Sequence, residues 1–547
     1  MTFILQPSEI ADCQGRAATL YYRAGPLGAV NDRIYLGAID AGTTGVRTLI
    51  FDTGGHVVSW KYSEFPSYFP EPTWVEQEAS DWWDCVCRTA QSALRDGAER
   101  GVSPNKVAGI SVTSQRETIV PVGRNVKPLH RALVWQDRRT APQCDRIRQR
   151  IGANRLYGIT GLTVDPYFSA PKILWVKDNV PEVYNEAHKF LLVHDYILAK
   201  LTGEFVTSWD NASRTLLFDI ARSRWSDEIL EGLDLDLRKL PDPLPSGRHV
   251  GEVTKRAAEE TGFAERTRVI CGGGDQQCSA IGVGVVRPGR TKATTGTGTF
   301  ILSFLERPTF DPEMRVLCSC HAVPGKWVQE ASMFSTGTIY RWFRDQFGQP
   351  ERIEAESSGV DAYAILDKEA AEAPPGSNGL LVLPHFVGAG APHWNPYARG
   401  TILGLALGHR KSDLIRAIME GIALEIRKNV EVIRELGTPV DELRVTGGMA
   451  RNRGFNQIQA DVLGIPVLRG KAEESTSLGC AILAGVGVGL FNSVPDAADK
   501  MVEVVERCEP NPENRETYDR MFELHKKAYI ALNKAGVYEG LASLKLH

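Results

Sequence analysis

The segment Asp40-Ala-Gly-Thr-Thr-Gly-Val-Arg47 sets a carboxylate at a strand end, then glycine-assisted amides, two hydroxyls and a fixed positive charge. A phosphate chain and its metal need those groups: a carboxylate for Mg²⁺, NH and OH donors for phosphate oxygens, a guanidinium for developing negative charge. Thr294-Thr-Gly-Thr-Gly298 offers a second donor loop and Thr446-Gly-Gly448 a third, each ending an apolar run. Three such loops imply a nucleotide held in a cleft between two related domains. Asp275 follows Gly272-Gly-Gly274, which permits close backbone approach while the carboxylate faces a cavity, the placement of a general base. A helix N-cap is the structural alternative for the same aspartate. No Walker A pattern is present, and Gly485-Val-Gly-Val-Gly489 is apolar throughout, as in helix or strand packing.

These residues must be positioned by strands and helices. Residues 34–40 and 46–51 read as buried strands joined by a glycine turn, and 56–64 as a third strand of an antiparallel meander. A helix over about 80–101 then leads to a strand at 107–113 and the polar run Ser114-Gln-Arg-Glu117. Such alternation marks an α/β fold, in which polar residues at strand carboxyl ends line the ligand crevice. Residues 290–304 repeat the pattern of strand, Gly/Thr turn and apolar strand, an internal duplication of the opening meander. A long helix is expected over 414–436, a short strand over 443–446 and another helix over 452–463. We expect an extension at 1–32, disordered or loosely docked, a first domain at 33–285 and a second at 286–547 with a helical tail.

A chain of 547 residues allows two to four domains, so more than one core is expected. Its 63 basic and 67 acidic side chains, net charge -4, give no footprint for nucleic acid or anionic membrane, which favours a small-molecule partner. Ten cysteines lack both disulfide-scaffold density and zinc-site spacing, pointing to a reducing, cytoplasmic setting. No apolar run is long enough to span a bilayer, and the first 32 residues lack the pattern of a secretory signal.

Taken in order, the runs Asp40-Ala-Gly-Thr-Thr44, Ser114–Glu117, Trp135-Gln-Asp-Arg-Arg-Thr140, Asp165-Pro-Tyr-Phe-Ser169, Asp210-Asn-Ala-Ser-Arg-Thr215, Gly274-Asp-Gln-Gln277, Ala391–Gly400 and Gly447-Gly-Met-Ala-Arg-Asn452 resemble the FGGY carbohydrate kinases. The resemblance covers about residues 34–510. It implies two ribonuclease-H-like domains of the actin and hexokinase type around an interdomain cleft. It also implies ATP and Mg²⁺ as cofactors, a small polyol or sugar as acceptor, and a homo-oligomer, dimer or tetramer. Within the family the pocket is most similar to that of the glycerol-phosphorylating members. By that resemblance Arg116, Glu117, Tyr167, Asp275 and Gln276 hydrogen-bond the acceptor, with Trp135 and Phe300 as aromatic walls. Asp275 would also be the catalytic base, and Arg47 would stabilise transferring charge. Thr43, Thr44, Arg47, Thr297, Gly337, Gly448 and Asn452 would hold the nucleotide, and Asp40 would hold Mg²⁺, through water. The chemistry agrees, since a triol needs acceptors such as Glu117 and Asp275 as well as donors such as Arg116 and Tyr167. Asp40-Ala41, where the glycerol-type members have Asp-Gln, and residues 194–203 look more like sugar kinases. Pentulose and autoinducer-2 acceptors therefore stay open beside glycerol, as do a non-catalytic sugar sensor and an actin-like filament protein.

Overall fold

The computed structural model describes residues 34–544; the expected N-terminal extension lies outside the described residues. Strands β1 (Tyr35–Ala41), β2 (Gly45–Asp52) and β3 (Val57–Glu64) form the meander, and helix α1 (Ala79–Ala98) carries the chain to β4 (Val107–Ser114). With β5 (His249–Glu252) and β6 (Arg268–Gly274) they build a six-stranded sheet in the order β5-β6-β4-β1-β2-β3. β1 is buried at every position, as a central strand covered on both faces must be, whereas β3 exposes alternate residues at the sheet edge. Register places Asp40 opposite Arg47 on β2 and beside Thr113 on β4.

Helix α2 (Asp275–Gly282) leads out of β6 towards a second sheet of β7 (Gly289–Thr295), β8 (Thr299–Leu305), β9 (Leu317–Cys320), β10 (Trp327–Met333), β11 (Val440–Thr446), β12 (Val467–Gly470) and β13 (Val504–Cys508). Its order is β9-β10-β8-β7-β11-β12-β13. The run β6-β4-β1-β2-β3 of the first sheet corresponds to β12-β11-β7-β8-β10 of the second, with the same parallel and antiparallel pairings. The duplication read from residues 290–304 thus extends to five strands per half. Helices α3 (Gly337–Phe347), α4 (Lys411–Glu435) and α5 (Arg453–Leu463) belong to the second half, and α4 lies in its core.

Helix α6 (Ser475–Gly487) follows β12 yet packs Leu478, Ala481, Ile482 and Leu483 among Leu36, Ala38, Ile270 and Ile281 of the first half. Its approach to α2 is made possible by glycine. A Cβ on Gly479 would sit 1.8 Å from the Cys278 carbonyl oxygen. The apolar glycine run at 485–489 begins in the last turn of this helix, where Gly487 faces Ile270.

Candidate functional site

The β1–β2 turn carries the first loop. Asp40 is buried, and burial together with Asp275 and Glu474 raises its carboxyl to about 7 against the opposing pull of Arg47. A further cation at this carboxylate would favour its charged form, so Asp40 could hold a divalent ion beside phosphate. Arg47 is ion-paired with Glu474, at the start of α6, and lies over the Tyr62 ring. Thr44 is exposed and shares a hydrogen bond with Tyr62. Thr43 Oγ1 accepts from the Trp135 indole at 3.0 Å, which ties the expected phosphate loop to the expected aromatic wall.

A buried charged cluster stands beside this loop. Arg116 donates through Nη1 and Nη2 to the two carboxylate oxygens of Glu330, at 3.0 and 2.9 Å. Its Nε faces Asp275 at 3.5 Å and Glu117 at 3.8 Å. Arg214 donates to Glu117 at 2.6 Å and to Glu330 at 3.2 Å. Burial alone would raise Glu330, but the two guanidiniums outweigh it and hold the carboxyl at about 2. Glu117, three residues after β4, takes a positive φ of 64°, a strained conformation, with its side chain bonded to Arg214. Gly274 ends β6 under the Arg116 side chain, whose Cδ would lie 2.6 Å from any added Cβ. Here the glycine run has its physical reason.

Asp275 opens α2 and keeps a third of its side chain exposed. Gly274 is the N-cap residue, so Asp275 is not the helix cap. Its Oδ1 accepts from the Gln276 amide at 2.7 Å. Lys292, fully buried on β7, donates to the Gln276 carbonyl at 3.0 Å and to its Oε1 at 2.8 Å. Burial pulls the Lys292 ammonium down to about 7, against Asp275 and Glu330. Tyr167 packs edge-to-face on Trp135, centroids 5.6 Å apart, and under Tyr167 lies the Arg214 guanidinium. The loop bearing Tyr167 is pinned by Lys172, whose ammonium donates to the carbonyls of Pro166, Tyr167 and Phe168. Phe300, half-buried on β8, packs against the small apolar cluster of Ala280, Val283, Leu302 and Val328.

The second donor loop meets α3: the Thr297 carbonyl accepts from Thr336 and Thr338, and the Gly337 amide donates to Gly296. A Cβ on Gly337 would fall 2.2 Å from the Gly296 oxygen. Gly448 has open space at its Cβ position. Asn452 caps α5 through Oδ1, while its buried Nδ2 has no partner, a donor left for a ligand. Sequence reasoning missed Arg214, Lys292, Glu330, Lys172 and Glu474. Arg214 stood inside one of the motifs, and Glu330 was the single charge in the strand Trp327–Met333, a signal that could have been read.

A cavity of about 580 Å³ lined by Trp83, Tyr196, Lys200, Arg256 and Glu260 shares no residue with this cluster.

Comparison with known proteins bears on these halves separately. The N-terminal domain of the FGGY family of carbohydrate kinases matches residues 35–282, and its C-terminal domain matches residues 291–488. The chain is 36% identical over 505 residues to a protein named glycerol kinase 2 from Thermotoga maritima, covering 90% of this chain and 98% of that one. It is 38% identical over 467 residues to a glycerol kinase from Trichlorobacter lovleyi, with 83% and 90% covered. A xylulose kinase structure from Rhodospirillum rubrum superposes with a TM-score of 0.84 at 27% identity, over 91% of this chain and 99% of that one. Two duplicated halves, each matched by its own domain and both spanned by full-length relatives, place this chain in the FGGY family of carbohydrate kinases.

Proposed function

We propose that the protein transfers the γ-phosphoryl group of ATP to a primary hydroxyl of a short neutral polyol, glycerol in the first place. The observation that carries this reading is the convergence of Arg116, Glu117 and Asp275 beside the Trp135–Tyr167 pair. Carboxylates accept from hydroxyls, the guanidinium Nε and the Tyr167 hydroxyl donate, and the rings cover the carbon chain. Two full-length relatives named glycerol kinase support the same acceptor.

In this reading Asp275 takes the proton of the attacking hydroxyl, and its exposed edge is the side the acceptor meets. Gln276, braced by Lys292, orients a second hydroxyl. Arg47 exchanges its Glu474 partner for phosphate oxygens, and Thr43 and Thr44 present hydroxyls to the same group. The loops at Thr297, Gly337, Gly448 and Asn452 receive the rest of the nucleotide, from the half that begins near residue 285. Asp40 fits Mg²⁺, which when bound supplies charge neutralisation on the phosphates. Phe300, half-buried on β8, serves with Trp135 as an aromatic wall. The second reading is a pentulose acceptor, favoured by the likeness to the Rhodospirillum rubrum xylulose kinase fold.

ATP consumption measured against glycerol, erythritol, xylulose, ribulose and an autoinducer-2 precursor tests this directly. We expect kcat/KM for glycerol at least tenfold above either pentulose. The reverse ratio overturns the glycerol assignment.

A further inference from the structure

We propose that Glu330 is a specificity-determining positioning residue, which fills the guanidinium fork of Arg116 from the opposite half of the molecule and so excludes acceptors bearing a carboxylate. The inference rests on the acceptor site placed at Arg116, Glu117 and Asp275.

A buried arginine beside a substrate pocket is by default a receptor for a carboxylate, because its planar fork matches two oxygens. Here the fork is already filled. Both Arg116 terminal nitrogens bond Glu330, and Nη1 also reaches Gln277 at 3.3 Å. Arg214, the second guanidinium in reach, divides itself between Glu330 and Glu117. Glu330 is completely buried on β10, and its neighbour Gln329 bonds Thr438, so strand alternation sends the two side chains to opposite faces of the sheet. The cluster as a whole sets Arg116, Arg214 and Lys292 against Glu117, Glu330 and Asp275. Two permanent guanidiniums and one lysine amine face three carboxylates, which leaves no surplus cation for an anionic acceptor, while Arg116 Nε and the carboxylate edges remain for hydroxyls. Removing the Glu330 charge would leave the Arg116 guanidinium without its anionic partner, and a substrate carboxylate would then find an unneutralised cation beside the site.

The test compares glycerol with D-glycerate, the same chain length with one terminal acid, in wild type, Glu330→Gln, Glu330→Asp and Arg214→Gln. Wild type should favour glycerol by at least 10³ in kcat/KM. In Glu330→Gln that ratio should fall at least tenfold, through a lower KM for glycerate and a higher one for glycerol, with KM for ATP within about threefold of wild type. Glu330→Asp, which keeps the charge, and Arg214→Gln, which keeps the Arg116 fork filled, should still reject glycerate. A ratio unchanged in Glu330→Gln, with both acceptors impaired alike, means a purely structural role and overturns the proposal. Should Glu330→Gln not fold, the other two variants decide, and gain of glycerate turnover in either overturns it. If wild type prefers another neutral polyol or ketose, the glycerol reading fails by itself, and the same ratio is taken between that acceptor and its terminal acid.

Discussion

Asp275 concentrates the proposed chemistry in one carboxylate, bonded to its own helix at Gln276 and open to the acceptor on its other side. Asp275→Asn keeps the shape and removes the basicity, so we expect phosphoryl transfer to drop by roughly 10² to 10⁴ with nucleotide affinity nearly unchanged. Steady-state rates with nucleotide titration check this, and turnover within threefold of wild type would place the base elsewhere. Lys292 gives a prediction in pH. Its ammonium sits near 7 in the folded protein, below the ordinary lysine value of 10.5, so the native state holds that proton less tightly than the unfolded chain. Stability therefore rises with pH between about 7 and 10 on account of this group, and the cost of its burial is fullest below 7. Lys292→Met has no such titration. The melting temperature of wild type relative to Lys292→Met should accordingly climb from pH 6.5 to pH 9.5, while KM for the acceptor rises in the variant as Gln276 loses its brace. A temperature difference independent of pH would contradict the burial argument.

Among the elements, the strand ends and the turns after them do most to shape the site. β1 and β2 set Asp40 across from Arg47, β4 releases Arg116 and Glu117, and β6 ends on the glycine that lets Arg116 cross. The Asp165–Ser169 loop lacks a strand to fix it and is held by the Lys172 ammonium on three carbonyl oxygens. Lys172→Met would leave those carbonyls without their donor, at a cost of about 1–3 kcal/mol for each one that water does not reach. Tyr167 would then lose its place against Trp135. We expect a lower melting temperature and an acceptor KM raised about tenfold or more, with KM for ATP little changed. Equal losses for acceptor and nucleotide would mean that the loop serves global stability and not the acceptor.

The whole molecule is joined across its duplication by features that include α6 packed on the first sheet, the Arg116–Glu330–Arg214 network, the Arg47–Glu474 ion pair and the Lys292 contact with Gln276. Calorimetry should therefore show one cooperative transition, with calorimetric and van't Hoff enthalpies in agreement, and two resolved transitions would show that the halves unfold separately. Gly479→Ala drives a methyl into the Cys278 backbone and should cost about 3 kcal/mol or more, read as a fall in that single melting temperature. The sequence by itself determined the family, the meander and its repeat, and the location of the Asp40, Arg116 and Asp275 motifs. These are local signals, carried by apolar runs, glycine turns and ordered motifs that survive without knowledge of contacts. Tertiary structure decided the rest, because the partners are far apart in the chain: Glu330 lies 214 residues from Arg116, and Glu474 lies 427 from Arg47. A lone glutamate in an apolar strand carries no mark of which guanidinium it meets. Trp135 shows the same limit: its type suits a pocket wall, but the bond from its indole to Thr43, 92 residues away, is a contact that only the fold supplies.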